Sequence, residues 1–209
     1  NSKFIALATA PSPNGIASFN QNIYQLLLLG DMANGNVLGT INVSAAIKAQ
    51  VTGTKNFMGD IVDLSLVGNN IIYLASRAGD AFQRAELGSD NTSVTLGSTF
   101  NKQVDLLVPN GCQAPIGVVT AHDFSDNKTM YFNCWLSRTM AAVDLASQSV
   151  IDDFASATPP SGAEIDINKG RRFDFTGRAR WANESWSSCG SCHPDGLSDN
   201  MTWQFPAGP

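Results

Sequence analysis

The chain of 209 residues is 43% hydrophobic and only 15% charged, which supplies a packed core and excludes a disordered chain. Its 13 basic residues are outnumbered by 18 acidic ones, for a net charge of −5, and no basic block appears, so nucleic acid is not expected as a partner. The apolar run from Leu26 to Leu29 after Ile23-Tyr24-Gln25, like every other in the chain, falls far short of the ~20 residues that a membrane helix needs, so no membrane span is expected.

The first residues carry no basic and apolar leader, which predicts a mature form or part of a longer chain. Residues 1 to about 155 then read as β structure. Short apolar runs rich in Val, Ile, Leu and Tyr alternate with Gly, Asn, Asp and Ser clusters, and helical periodicity is scarce. Two hairpins stand out. One runs from Ile61 to Val67, turns at Gly68-Asn69-Asn70 and returns through Ile71 to Ala75; the other runs from Ile116 to Ala121, turns at Ser125-Asp126-Asn127 and returns through Thr129 to Cys134.

The hairpins read as copies of one unit. Tyr73 precedes Leu87 by 14 residues and Tyr131 precedes Leu145 by 14, with an acid, Glu86 or Asp144, before each leucine. Pro13-Asn14-Gly15-Ile16-Ala17 likewise parallels Pro115-Ile116-Gly117-Val118-Val119. Units of roughly 50 residues approach the size of a four-stranded propeller blade. About three would fit, whereas a closed ring takes ~4–8, so the expectation is a partial β-propeller completed by remaining polypeptide or neighbouring subunits. An ordinary β-meander is the competing reading.

Ser156 to Gly162, with Pro159-Pro160, is a linker signal. The expected organisation is therefore blades over 1–155, a linker over 156–162 and a small α-helical segment over 163–209. Ala163 to Phe173 reads as a short helix with acids early and bases late, matching the helix dipole. Five of the 13 basic residues lie between Lys169 and Arg180. They form either a solvated face or, through Arg171, Arg172, Arg178 or Arg180, partners for the carboxylates of a bound cofactor.

That cofactor is named by the next motif. Cys189-Gly190-Ser191-Cys192-His193 is the C-x-x-C-H pattern of c-type haem attachment. Two thiols three residues apart can each form a thioether with one vinyl group on a porphyrin edge, and His193 then meets the iron as proximal ligand. A thioredoxin-like pair would want a following helix, but Pro194 comes at once. A zinc site would need a second ligand pair, and Cys112, Cys134 and His122 lack the spacing. One covalent haem c is expected, with Cys189, Cys192 and His193 binding it and His193 as the metal ligand. Trp186 and Trp203 bracket the motif as candidate haem walls, or as ordinary core.

Haem c is attached outside the cytoplasm, so a periplasmic, cell-surface or secreted location is expected. In that compartment Cys112 and Cys134 either pair or remain buried thiols. For the sixth iron ligand the candidates are Met201, His122 or a group from elsewhere.

The segment Lys128 to Thr139, followed by Val143-Asp144-Leu145-Ala146-Ser147, resembles a blade of the YVTN-type β-propellers. The tail from Trp186 to Trp203 resembles the first haem segment of di-haem cytochrome c peroxidase (MauG-like) domains. The resemblance implies a fragment of a propeller joined to such a domain, with a second haem domain or a redox protein as partner. Only 16 residues follow His193, so the family's second haem region is missing. Three functions are therefore expected to compete. One is extracytoplasmic electron transfer, one is part of a peroxidase-type oxidoreductase, and one is a propeller scaffold or binding module.

Overall fold

The computed structural model describes residues 3–13, 18, 21–109, 111–120 and 128–202. They form a mainly β chain of three antiparallel sheets. β1 (Lys3–Pro11), β2 (Ile23–Asp31) and β3 (Val37–Asn42) make the first sheet in chain order. The second contains β4 (Ile61–Val67), β5 (Ile71–Ser76) and β6 (Ala81–Leu87), with β7 (Val94–Thr95) and β8 (Gln103–Asp105) both on the far edge of β6. The third is β9 (Pro115–Thr120), β10 (Thr129–Cys134), β11 (Thr139–Asp144) and β12 (Ser149–Ala155), again in chain order. Each sheet is an open path, and β4 packs against β1 on one side and β9 on the other.

Both predicted hairpins form, β4 with β5 and β9 with β10; the Ser125-Asp126-Asn127 turn lies outside the described residues, as do residues 14–17 of the Pro13 parallel. The two repeat copies occupy equivalent places. Ile71 pairs with Glu86 and Thr129 with Asp144. The N–H of Leu87 donates to the Asn70 carbonyl at 2.8 Å, and that of Leu145 to the Lys128 carbonyl at 2.7 Å.

The central sheet is buried on both faces, because successive side chains point to opposite sides of a strand. From β5, Ile72 and Leu74 enter a core shared with Leu27, Leu29 and Ile41 of the first sheet. Tyr73 and Ala75 enter a second core with Met130, Phe132 and Val143 of the third. The second core also holds the Cys112–Cys134 disulfide, with its sulfurs 2.05 Å apart. The outer sheets have one covered face each. On the third sheet Val119 and Phe154 stay exposed on the outward side beside half-buried Tyr131 and Met140. On the first, Ala6 opposite Leu28 and Ala8 opposite Leu26 are only half-buried.

Two helices break the β pattern. α1 (Val43–Gln50) was not expected from the sequence. Its start is signalled locally, since the Asn42 side chain accepts from the Ala45 N–H at 2.8 Å and Val43 and Ile47 bury one face. α2 (Glu164–Phe175) follows the linker as expected.

The expected α-helical cytochrome segment does not form. Beyond α2 the described chain makes only short 3-10 turns at Asn183–Ser185, Cys189–Ser191 and Pro194–Gly196. The physical reason is the backbone pairing. Phe57 and Gly59 donate to the Glu184 and Ser185 carbonyls at 2.7 and 2.8 Å, and Gly177 donates to Ala78 at 2.9 Å. The segment is stitched to the end of the central sheet instead of building a core of its own.

α2 is held there by one buried carboxylate. Asp80 is fully buried and accepts both terminal nitrogens of Arg172, one at 2.8 Å, while also accepting the Ala114 N–H at 2.8 Å. Removing one member of a buried ion pair strands the other's charge. Arg172→Ala is expected to lower stability by about 3–5 kcal/mol in chemical denaturation. Asp80→Asn/Arg172→Met should recover much of that loss, because no buried charge is then left unpaired.

Candidate functional site

The C-x-x-C-H residues sit on a loop whose position is set by two strips of chain, 57–60 and 184–188. Both strips contain residues in the left-handed region, Met58 (φ 56°), Asp60 (φ 51°), Glu184 (φ 53°) and Ser185 (φ 60°). Such conformations cost on the order of 1–3 kcal/mol each and persist only where the surroundings over-determine them. Here the backbone pairing does so. Gly59 and Gly177 permit the close approach. A Cβ on Gly59 would stand 2.7 Å from the Ser185 carbonyl oxygen, and one on Gly177 would stand 2.9 Å from that of Ser187.

The loop itself is a compact turn. The N–H groups of Cys192 and His193 both donate to the Cys189 carbonyl, at 3.1 and 2.9 Å, and Asp199 N–H donates to the Cys192 carbonyl at 3.0 Å. Gly190 lies against the Phe175 ring at the end of α2, and the Arg77 guanidinium covers that ring at 4.2 Å. Asp60, 3% exposed, accepts the hydroxyls of Ser188 and Ser191, one on each carboxylate oxygen. Arg77 brings a guanidinium nitrogen to 3.7 Å from the same carboxylate.

Cys189 is exposed, Cys192 is half-buried, and neither is disulfide-bonded. Burial, reinforced by the negative charges of Asp199 and Asp60 and by Cys189, pushes the Cys192 thiol up to about 11. A redox-active nucleophile of the thioredoxin kind needs the opposite shift. His193 places Nδ1 at 2.9 Å from the Leu197 carbonyl oxygen. A carbonyl only accepts, so Nδ1 carries the proton and the Nε2 lone pair is left available. Beside these groups is a largely apolar cavity of about 400 Å³ lined by Ile23, Trp186, Cys192, His193 and Met201, among others.

Of the predicted site residues, Cys189, Cys192 and His193 share the loop, and Trp186 lines the cavity while packing on the first core. Trp203 and His122 lie outside the described residues. The arginines go elsewhere. Arg172 is spent on Asp80, and Arg171 stands 5.7 Å from the Trp135 ring centroid. Arg178 grips both oxygens of Asp105 at 2.8 and 2.7 Å. Burial raises the Asp105 pKa, but the hydrogen bonds of Arg178 and of the Val108 and Leu107 N–H groups, with the Arg178 charge, outweigh it and leave a net downward shift. Arg180 is exposed. Sequence reasoning missed Asp60, Arg77, Ser188 and Ser191. The serines flanking Cys189 were a local signal, but Asp60 is 128 residues from Ser188.

No family model matches the chain, and no curated protein matches it. Among solved structures it is similar to a protein from Bacteroides uniformis ATCC 8492 described as a proposed 6-phosphogluconolactonase, at 12% identity and a TM-score of 0.41 over 68% of this chain. The chain spans 42% of that protein's length, and so loose a likeness assigns neither fold nor activity.

The resemblance to YVTN-type propellers joined to a MauG-like haem domain is overturned. No family model supports it, and the tail is a set of turns on the central sheet instead of a helical haem segment. Among the described residues, no three His, Cys, Asp or Glu side chains converge as a metal-ion site. The second haem and the peroxidase chemistry that the resemblance implied are withdrawn with it.

The raised Cys192 pKa has a direct consequence in protein purified without cofactor. Alkylation of Cys192 should be slow at pH 7.5 and climb between pH 9 and pH 11, as the thiol deprotonates near its pKa of about 11. Peptide-resolved mass spectrometry after timed iodoacetamide exposure checks this; a Cys192 profile already saturated at pH 8.5 would contradict the burial argument.

Proposed function

We propose that this chain is a haem c-binding redox protein that transfers electrons outside the cytoplasm. The observation that carries the proposal is the loop geometry. Two thiols free of any disulfide and an imidazole with Nε2 available stand on one turn, and two of the three, Cys192 and His193, line an apolar cavity. That donor set suits one covalently attached haem c, which needs two thiols and a single axial imidazole from this motif.

Each thiol would add across a vinyl double bond, the sulfur joining one carbon and the thiol proton passing to the other, with no net oxidation. The cofactor, once held by Cys189, Cys192 and His193, supplies a one-electron couple. The chain's own contribution is to orient the imidazole through Leu197, to exclude water with Ile23 and Trp186, and to hold the loop on the central sheet.

The three sheets are proposed to be blades of a partial β-propeller. The repeat register of the second and third sheets supports this, as does the central sheet buried on both faces. The half-covered faces of the outer sheets favour further polypeptide or neighbouring subunits as partners, with a redox protein as the electron-transfer partner. This makes a scaffold role the second reading. The Cys112–Cys134 disulfide supports an extracytoplasmic location, since such bonds are rare in reducing compartments. Among the described residues no helix is long and apolar enough to cross a membrane.

The test is the intact mass and optical spectrum of the native protein, with a Cys189→Ala/Cys192→Ala variant beside it. Haem should remain with the denatured native chain and be extractable by acid-acetone, or absent, in the variant. A native chain with no covalent haem would overturn the reading.

A further inference from the structure

We infer that Asp60 is a positioning residue that latches the thiol-bearing loop in the geometry needed for double attachment. This rests on the haem c reading. The carboxylate belongs to the strip just before β4, far from the loop in sequence, and is almost wholly buried. Its two oxygens are divided between two donors, Ser188 Oγ on Oδ2 and Ser191 Oγ on Oδ1. These serines bracket Cys189, so a single group fixes both ends of the turn that separates the two thiols.

The latch is continuous with the rest of the loop. Ser191 Oγ also accepts the Ser188 N–H at 2.9 Å, closing the turn on itself while its own proton goes to Asp60. The Asp60 backbone carbonyl accepts the Arg77 N–H at 3.0 Å, which ties the carboxylate's own strip to the turn between β5 and β6. The Arg77 guanidinium offsets the buried negative charge from 3.7 Å. A carboxylate is the group this arrangement requires, because it presents two acceptor oxygens and a carboxamide only one. The outcome of the latch is asymmetry, with Cys189 held outward and exposed and Cys192 held half-buried at the cavity wall.

The test uses the full chain with Asp60→Asn, Ser188→Ala/Ser191→Ala and Ser191→Thr, the last of which keeps the hydroxyl. Folding is checked by thermal melting and by the intact Cys112–Cys134 disulfide. In haem-free protein, Cys189 should alkylate about tenfold faster than Cys192, following their exposure. That ratio should fall to about threefold or less in Asp60→Asn and in the double serine variant, and return in Ser191→Thr. In protein produced with haem-attachment machinery, the first two variants should accumulate chains joined through one thioether. Peptide mass and the pyridine haemochrome band, which shifts when a vinyl group remains, both detect that product.

A folded Asp60→Asn chain with an unchanged alkylation ratio and two thioethers would overturn the latch. If Asp60→Asn does not fold, the serine variants decide the question in the same way. A native chain without covalent haem would sink the haem reading alone, because the alkylation arm needs no cofactor.

Discussion

The buried carboxylate of Asp80 ties together three parts of this chain that lie far apart in sequence. A fully buried charge is tolerated only when it is paired and hydrogen-bonded, and here Arg172 of α2 and the backbone of Ala114 supply both. Asp80 lies in the turn between β5 and β6, Ala114 leads into β9, and Arg172 sits near the end of α2. One side chain therefore fixes the central sheet against the third sheet and seats the helix whose last residue, Phe175, backs the Gly190 turn.

The same end of the central sheet holds the rest of the site. The turn at residues 76–80 exchanges hydrogen bonds with the strip at 56–60 and with Gly177. Asn56 donates to the Gly79 carbonyl at 2.9 Å, and Arg77 donates to that of Asp60. Strain gathers here as well, at Met58, Asp60, Asp80, Glu184 and Ser185, all in the left-handed region. Strained backbone that is cross-linked on every side is a rigid platform, and a loop that must offer two thiols and an imidazole in fixed directions needs one. The two buried aspartates divide the work, Asp80 holding the helix and Asp60 holding the loop.

The burial of the sheets explains why the two repeat copies differ in environment despite sharing a register. Tyr73 is buried between the central and third sheets, whereas Tyr131 lies on the outward face of the third sheet and is half-buried. The pattern of side chains is the same, but among the described residues only the central sheet has neighbours on both sides. β5, buried from Ile72 onward, accordingly reads as an apolar run from Ile71 to Ala75, while the exposed β12 carries Asp152 and Asp153, charges that suit an open edge.

Local features are legible in the order of residues along the chain. The hairpins expected at 61–75 and 116–134 follow from short apolar runs separated by polar clusters, and α2 follows from the linker prolines and its charge order. The grouping of Cys189, Cys192 and His193 follows from covalent spacing alone, which no tertiary arrangement can alter. The remaining features depend on residues that folding brings together from distant parts of the chain. Arg172 looked available for a bound carboxylate, but Asp80 takes it, because pairing a buried charge outweighs leaving an arginine at the surface. The tail looked like a small helical domain, but the backbone at 57–59 and at 78 offered it partners, so it docked as turns. Asp60 left no local sign of its role, since a carboxylate becomes a latch only when folding brings two serine hydroxyls to it and removes the water that would otherwise compete for them.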